Sequence, residues 1–106
     1  QNDKEPLLKV ADLELNPLTK SVTRSGEVIS LTAKEYMLLE YLMRHKGAII
    51  EEKMLEEQLF SSEQSINSNM VSVYMYRLRS KIDKNFELKL IKTHRNLGYT
   101  LNENAL

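Results

Sequence analysis

Cysteine is absent from the 106 residues. Its absence excludes a disulfide framework and a thiolate zinc site; it is compatible with the expected intracellular, cytoplasmic location but does not by itself decide it. No apolar run approaches the ~20 residues that a membrane-crossing helix needs. Glycine and proline are scarce, three and two, and no Gly-rich phosphate loop or Gly-x-Ser-x-Gly elbow is present. The two histidines, His45 and His94, stand in no metal-ligand spacing. Net charge is also lacking: fifteen basic side chains balance fifteen acidic ones. With no catalytic constellation, neither an enzyme nor a cofactor or metal is expected.

What remains is a foldable chain, 42% hydrophobic and 28% charged, long enough for one modest core. The polar start Gln1–Pro6 reads as a linker and residues 7–106 as one domain. Zero net charge hides an asymmetry. Residues 1–68 carry eight Lys/Arg against twelve Asp/Glu, and residues 69–106 carry seven against three. Acid first and base last suggests one face built for a polyanion. Ordinary fluctuation in a charged chain gives similar numbers, so charge alone does not decide.

Leu7–Leu31 alternates apolar and polar residues in short runs, broken by turn signals at Asn16-Pro17 and Ser25-Gly26. It reads as three or four antiparallel strands, solvated on one face. Thr32-Ala33-Lys34-Glu35 is a capping box with Leu31 and Tyr36 at the staple positions. The helix it opens places Tyr36, Leu39, Leu42 and Met43 on one face, and His45-Lys46-Gly47 is its stop. A second helix near Glu51–Phe60 offers Met54, Leu55, Leu59 and Phe60 to the core. Its glutamates, Glu51, Glu52, Glu56 and Glu57, would repel phosphates. The polar stretch Ser61–Ser68 reads as a loop, with Asn67 or Ser68 as the cap of a third helix.

That third helix carries Val71, Met75, Leu78 and Ile82 at i, i+4, i+7 and i+11, one narrow inward stripe. Val73, Tyr76, Arg77 and Ser80 then project outward, with Asn69 above them and Arg79 and Lys81 flanking the stripe. Leu90–Thr93 and Tyr99–Leu101 are two strands joined by a turn with Arg95 and Gly98. A helix fits the major groove of DNA, where Arg77 can bond guanine with both arms and Val73 can meet a thymine methyl. An arginine at a hairpin tip suits the narrow minor groove. The plainer reading of the helix is a solvated face with surface ion pairs; that of Arg95 is an ordinary turn cation. Helix and hairpin in this order, with a short connection, point to DNA more strongly than either alone.

Three segments resemble the winged-helix effector domain of OmpR/PhoB-type response regulators. Leu31-Thr32-Ala33-Lys34-Glu35-Tyr36-Met37-Leu38-Leu39 is similar to the family's L-T-x-K-E-F-x-L-L. Asn69–Ile82 is similar to N-V-V-D-V-H-I-x-R-L-R-x-K-I, and Ile91–Tyr99 to I-x-T-V-R-G-x-G-Y. The resemblance implies an α+β winged helix-turn-helix: a small N-terminal antiparallel sheet, three helices and a C-terminal β-hairpin wing. It implies sequence-specific binding of double-stranded DNA in a two-component phosphorelay. Arg77 then takes the base-reading position, with Val73 touching bases in some members. Arg79 and Tyr74 stand where the family meets the phosphate backbone, Thr93 at the wing phosphates and Arg95 in the minor groove. Further implied are a receiver domain absent from this chain, a monomer that pairs head to tail on direct repeats, and contact with RNA polymerase through the loop after helix two.

The chain departs from that pattern in several places. Ser72 replaces a common Asp, Tyr76 an Arg, Asn96 a wing Gly and Phe60 a Trp, while Glu51-Glu52 stand for Ser-Arg. Asn96 can imitate glycine because it tolerates positive φ. Fewer cations imply that affinity depends on pairing two domains. The alternative from another class is a protein-interaction module that docks a partner such as RNA polymerase through acidic helix two and its following loop.

Overall fold

The computed structural model describes residues 7–60 and 70–104. Four short strands open it: β1 (Leu8–Val10), β2 (Leu13–Asn16), β3 (Ser21–Arg24) and β4 (Glu27–Ile29). They form an antiparallel meander in chain order. Both turns foreseen from sequence have a local cause. Asn16 Oδ1 accepts the Leu18 N–H at 2.9 Å, an Asx turn. Ser25 and Gly26 have φ of +54 and +82, the mirror-image turn that suits a two-residue hairpin. Register pairs Leu15 with Val22 and Leu13 with Arg24. Val10, Leu13, Leu15 and Val22 are thereby buried, while the row Lys9, Glu14, Thr23 and Val28 lies on the other face. Strict alternation also turns Arg24 inward.

Helix α1 (Ala33–Arg44) begins at the capping box read from the sequence. Thr32 Oγ1 accepts the Glu35 N–H at 3.3 Å, and Glu35 Oε1 accepts the Thr32 N–H at 3.0 Å. Its buried face holds Tyr36, Leu39, Leu42 and Met43 as expected, and Leu38 in addition. Gly47 follows the helix end with φ +88.

Helix α2 (Glu52–Phe60) buries Leu55, Leu59 and Phe60. Met54, expected to join them, is instead exposed. Leu55 and Leu59 define the inward side of this short helix, and Met54 is turned about 100° from it. Helix α3 (Met70–Ile82) buries the foreseen stripe Val71, Met75, Leu78 and Ile82 against α1 and α2. Asn67 and Ser68, the suggested caps of α3, lie outside the described residues.

The hairpin consists of β5 (Ile91–His94) and β6 (Gly98–Leu101). β5 starts one residue later than expected because the Leu90 N–H is taken by Asp83, at 3.1 Å to each carboxylate oxygen. The architecture is the α+β arrangement anticipated from sequence: a small antiparallel sheet, three helices and a C-terminal wing.

Three buried charged side chains, Arg24, Asp83 and Glu35, tie these parts together. Arg24, 1% exposed, meets Asp83 at 3.0 Å and Asp12 at 2.6 Å. It also donates to the Ile82 carbonyl, and to the Leu88 carbonyl at 2.7 Å, with the Phe86 ring 4.5 Å away. Asp83 accepts the Ile91 N–H at 3.0 Å as well. Glu35, inside the first turn of α1, bonds Lys81 of α3 at 2.6 Å. Burial alone would raise the Glu35 pKa, but the bonds from Lys81 and Thr32 outweigh it and hold it below the ordinary carboxylate value.

Arg24→Met would strand Asp83 without its counter-charge, and a loss of about 3–5 kcal/mol is expected in urea unfolding. A carboxylate with a lowered folded pKa stabilises above its unfolded pKa and loses that contribution as pH falls through the folded one. Wild-type stability relative to Glu35→Gln should therefore be greatest above pH ~4.3 and shrink below it, measured as urea midpoints across pH 2–7 (roughly the window of the carboxylates).

Candidate nucleic-acid interface

With its stripe buried, α3 turns part of its remaining surface outward. Ser72, Val73, Tyr76 and Arg77 are exposed, Tyr76 at 72%. An open aromatic ring and a valine beside an arginine form a mixed face suited to contact, where a merely solvated face is commonly Glu and Lys. Ser80 is half-buried, and its hydroxyl donates back to the Tyr76 carbonyl at 2.9 Å. Tyr74 is half-buried too. Its ring lies 5.9 Å from that of Phe60, centroid to centroid, and the Arg77 guanidinium sits 5.3 Å from it. Tyr74 thus links Arg77 to the core.

Arg79 points neither to solvent nor to the core. It donates to Thr93 Oγ1, makes a long 3.4 Å bond to the Ile91 carbonyl and lies 5.8 Å from the Tyr99 ring. Both residues read as phosphate contacts, Arg79 and Thr93, therefore meet at the joint between helix and wing. Lys81 leaves this face for Glu35.

Arg95 stands exposed at the tip of the wing. The Leu97 N–H bonds the His94 carbonyl at 2.8 Å across the turn, and Asn96 takes φ +64, the glycine-like conformation anticipated for it. Gly98 has φ +142, and a Cβ there would lie 2.1 Å from the Ile50 carbonyl oxygen. The close approach exists because Ile50 and Tyr99 exchange N–H···O bonds of 2.8 and 3.0 Å. The segment between α1 and α2 thus pairs with β6.

Two clefts flank the wing and differ in charge. One, of about 330 Å³, lies between Glu51, Glu52 and the wing residues Thr93 to Tyr99. The other, of about 480 Å³, lies against α3 and is lined by Tyr76, Arg79, Ser80, Lys84 and Lys89, with Asp83 and Ile91 at its base. A polyanion is repelled by the first and drawn to the second. Lys84 and Lys89 were not among the residues singled out from the sequence, since they fall on no periodic face. Lys89 is partly committed: its ammonium bonds the carbonyls of Asp83 at 2.8 Å and Phe86 at 2.7 Å, just past the C-terminal end of α3.

The structure thus gathers Ser72, Val73, Tyr76 and Arg77 on one face, sets Tyr74 beneath them, and joins Arg79 to Thr93. Arg95 stands apart on the wing tip. Asn69 lies outside the described residues. Among the described residues no group of His, Asp and Glu could hold a metal ion, and no helix is long and apolar enough to cross a membrane.

The chain is similar to known proteins. Residues 26–101 match the family described as "Transcriptional regulatory protein, C terminal". Transcriptional regulatory protein CusR of Escherichia coli is 41% identical over 97 residues, covering 92% of this chain and 43% of CusR. Transcriptional activator protein IrlR of Burkholderia pseudomallei is 43% identical over 95 residues, covering 90% of this chain and 42% of IrlR. The chain thus spans less than half the length of these curated relatives. Among solved structures, the Klebsiella pneumoniae RstA DNA-binding domain in complex with the RstA box superposes with a TM-score of 0.82 at 28% identity. It covers 94% of this chain and 100% of that domain.

Two substitutions separate the roles of the wing residues. Gly98→Ala should break the Ile50–Tyr99 pairing and cost more than about 1 kcal/mol, seen as faster amide exchange at both residues. Asn96→Gly, at a position already left-handed, should stay within about 0.5 kcal/mol of wild type in the same urea assay.

Proposed function

The chain belongs to the C-terminal family of transcriptional regulatory proteins, the winged-helix domain of OmpR/PhoB-type response regulators, and on that basis we propose that it binds double-stranded DNA sequence-specifically. Helix α3 enters the major groove, and the wing reaches the adjacent minor groove. The observation that carries this reading is the exposed Arg77–Val73–Tyr76 face of α3 beside a wing with Arg95 at its tip. Arg77 reads a guanine edge, with Val73 and Ser72 at neighbouring bases. Tyr76, Tyr74 and Thr93 lie along the phosphate backbone between the grooves, Arg79 stands beside them at the joint of helix and wing, and Asn69, which lies outside the described residues, completes the set. Phosphate contacts set the register; base contacts specify. The basic cleft on the α3 side of the wing supports this orientation, and the glutamates across the wing disfavour the opposite one.

In the whole protein, residues 1–6 join this domain, residues 7–106, to a receiver domain of a two-component system in the cytoplasm. The domain itself is a monomer and no enzyme, and two copies occupy direct-repeat half-sites in tandem. Acidic α2, with residues 61–69 that lie outside the described residues, is the part proposed to meet a protein partner such as RNA polymerase.

Duplexes selected from a random pool should contain two half-sites in one orientation. On the best of them, Arg77→Ala should cost about 1–3 kcal/mol and relax one base preference, while Arg95→Ala should weaken binding mainly at A·T-rich flanks. Affinity should fall steeply with salt. Wild-type affinity in both variants would sink this reading, and a stable protein complex without DNA binding at low salt would favour the interaction module.

A further inference from the structure

Arg79 is set apart from the other cations of α3. Arg77 lies over a ring of its own helix and Lys81 turns to α1, whereas Arg79 reaches both strands of the wing. It bonds Thr93 and Ile91 on β5 and lies near Tyr99 on β6. An isolated two-stranded hairpin is marginal in water. Here β6 is paired by Ile50, while β5 has no second strand beside it among the described residues. On that open side, Arg79 supplies what a neighbouring strand would: donors to a backbone carbonyl and to a hydroxyl two residues further on. A planar fork can serve two acceptors and a ring face at once, which a lysine ammonium cannot.

We propose that Arg79 is the positioning residue that fixes the wing relative to α3, so that reading by Arg95 depends on Arg79. The inference rests on the DNA-binding reading above. Residues reading two grooves must keep a constant offset, and a side chain from the recognition helix to the wing is the shortest link that sets it. A phosphate contact at Arg79 would add affinity without regard to Arg95; a positioning role makes the two arginines interdependent.

A double-mutant cycle separates these cases. Affinity for a selected duplex is measured across salt for wild type, Arg79→Met, Arg79→Lys, Arg95→Ala and the Arg79→Met/Arg95→Ala pair. Arg79→Met should weaken binding about tenfold in the wild-type background and less than about twofold beside Arg95→Ala. It should flatten the A·T preference at the flank and spare the base read by Arg77. Arg79→Lys should fail to restore wild-type affinity. Equal losses in both backgrounds, or full rescue by lysine, overturn the proposal and leave Arg79 a phosphate contact, with the salt slope reduced by about one. If the Arg79 variants do not fold, Thr93→Val removes the acceptor from the wing side: a loss that vanishes beside Arg95→Ala supports the proposal, and an additive loss overturns it. A wild-type chain that prefers no duplex overturns the DNA-binding reading together with this inference, whereas additive losses overturn this inference alone.

Discussion

A guanidinium buried at the end of β3 connects parts of the chain that are otherwise far apart. Arg24 binds Asp83 and the carbonyls of Ile82 and Leu88, so it closes the C-terminal end of α3, where carbonyls lack helical partners. Asp83 in turn holds the amides of Leu90 and Ile91, which start the wing. Sheet, recognition helix and wing therefore meet at one ion pair. Each charge in it is neutralised and hydrogen-bonded, the condition under which burial of charge is tolerated. The orientation of α3 and the origin of β5 both depend on it.

From that origin the wing is placed by contacts of different kinds. Backbone pairing with Ile50 holds β6, and Gly98 is required there because no Cβ fits under the Ile50 carbonyl. Arg79 meets β5 from the other side. The hairpin stands between an acidic cleft and a basic one, which gives the surface a direction that zero net charge conceals. A ring pair, Phe60 with Tyr74, carries Arg77 in a similar way, so each outward arginine on α3 is supported by something beneath it.

Much of this was legible in the residues. The capping box, the four-residue stripe of α3, the alternation of the strands and the left-handed Asn96 are local patterns with local causes, and each appears where the sequence placed it. Legibility ended where a partner far along the chain decides. Arg24 looks like an ordinary strand cation, although period-two alternation from Val22 already turned it inward. Gly98 reads as a turn glycine until Ile50 is seen against it. Met54 looks apolar enough for the core, yet the two leucines of α2 set which side is buried. Lys84 and Lys89 follow no period, so only the folded chain brings them to one cleft.

Element types, inward faces and a short list of outward arginines came from the residues alone, because periodicity, capping and turn chemistry act within a few positions. What each of those arginines engages was settled by tertiary contacts. Arg77 and Arg79 are two residues apart on one helix; helical spacing turns Arg77 outward and sets Arg79 beside the stripe, but it assigns neither a partner. The wing does so for Arg79 by bringing Thr93 and Ile91 to it, while Arg77 stays on the exposed face. That placement depends on strand pairing and buried charges separated by dozens of residues, which spacing along the chain does not encode.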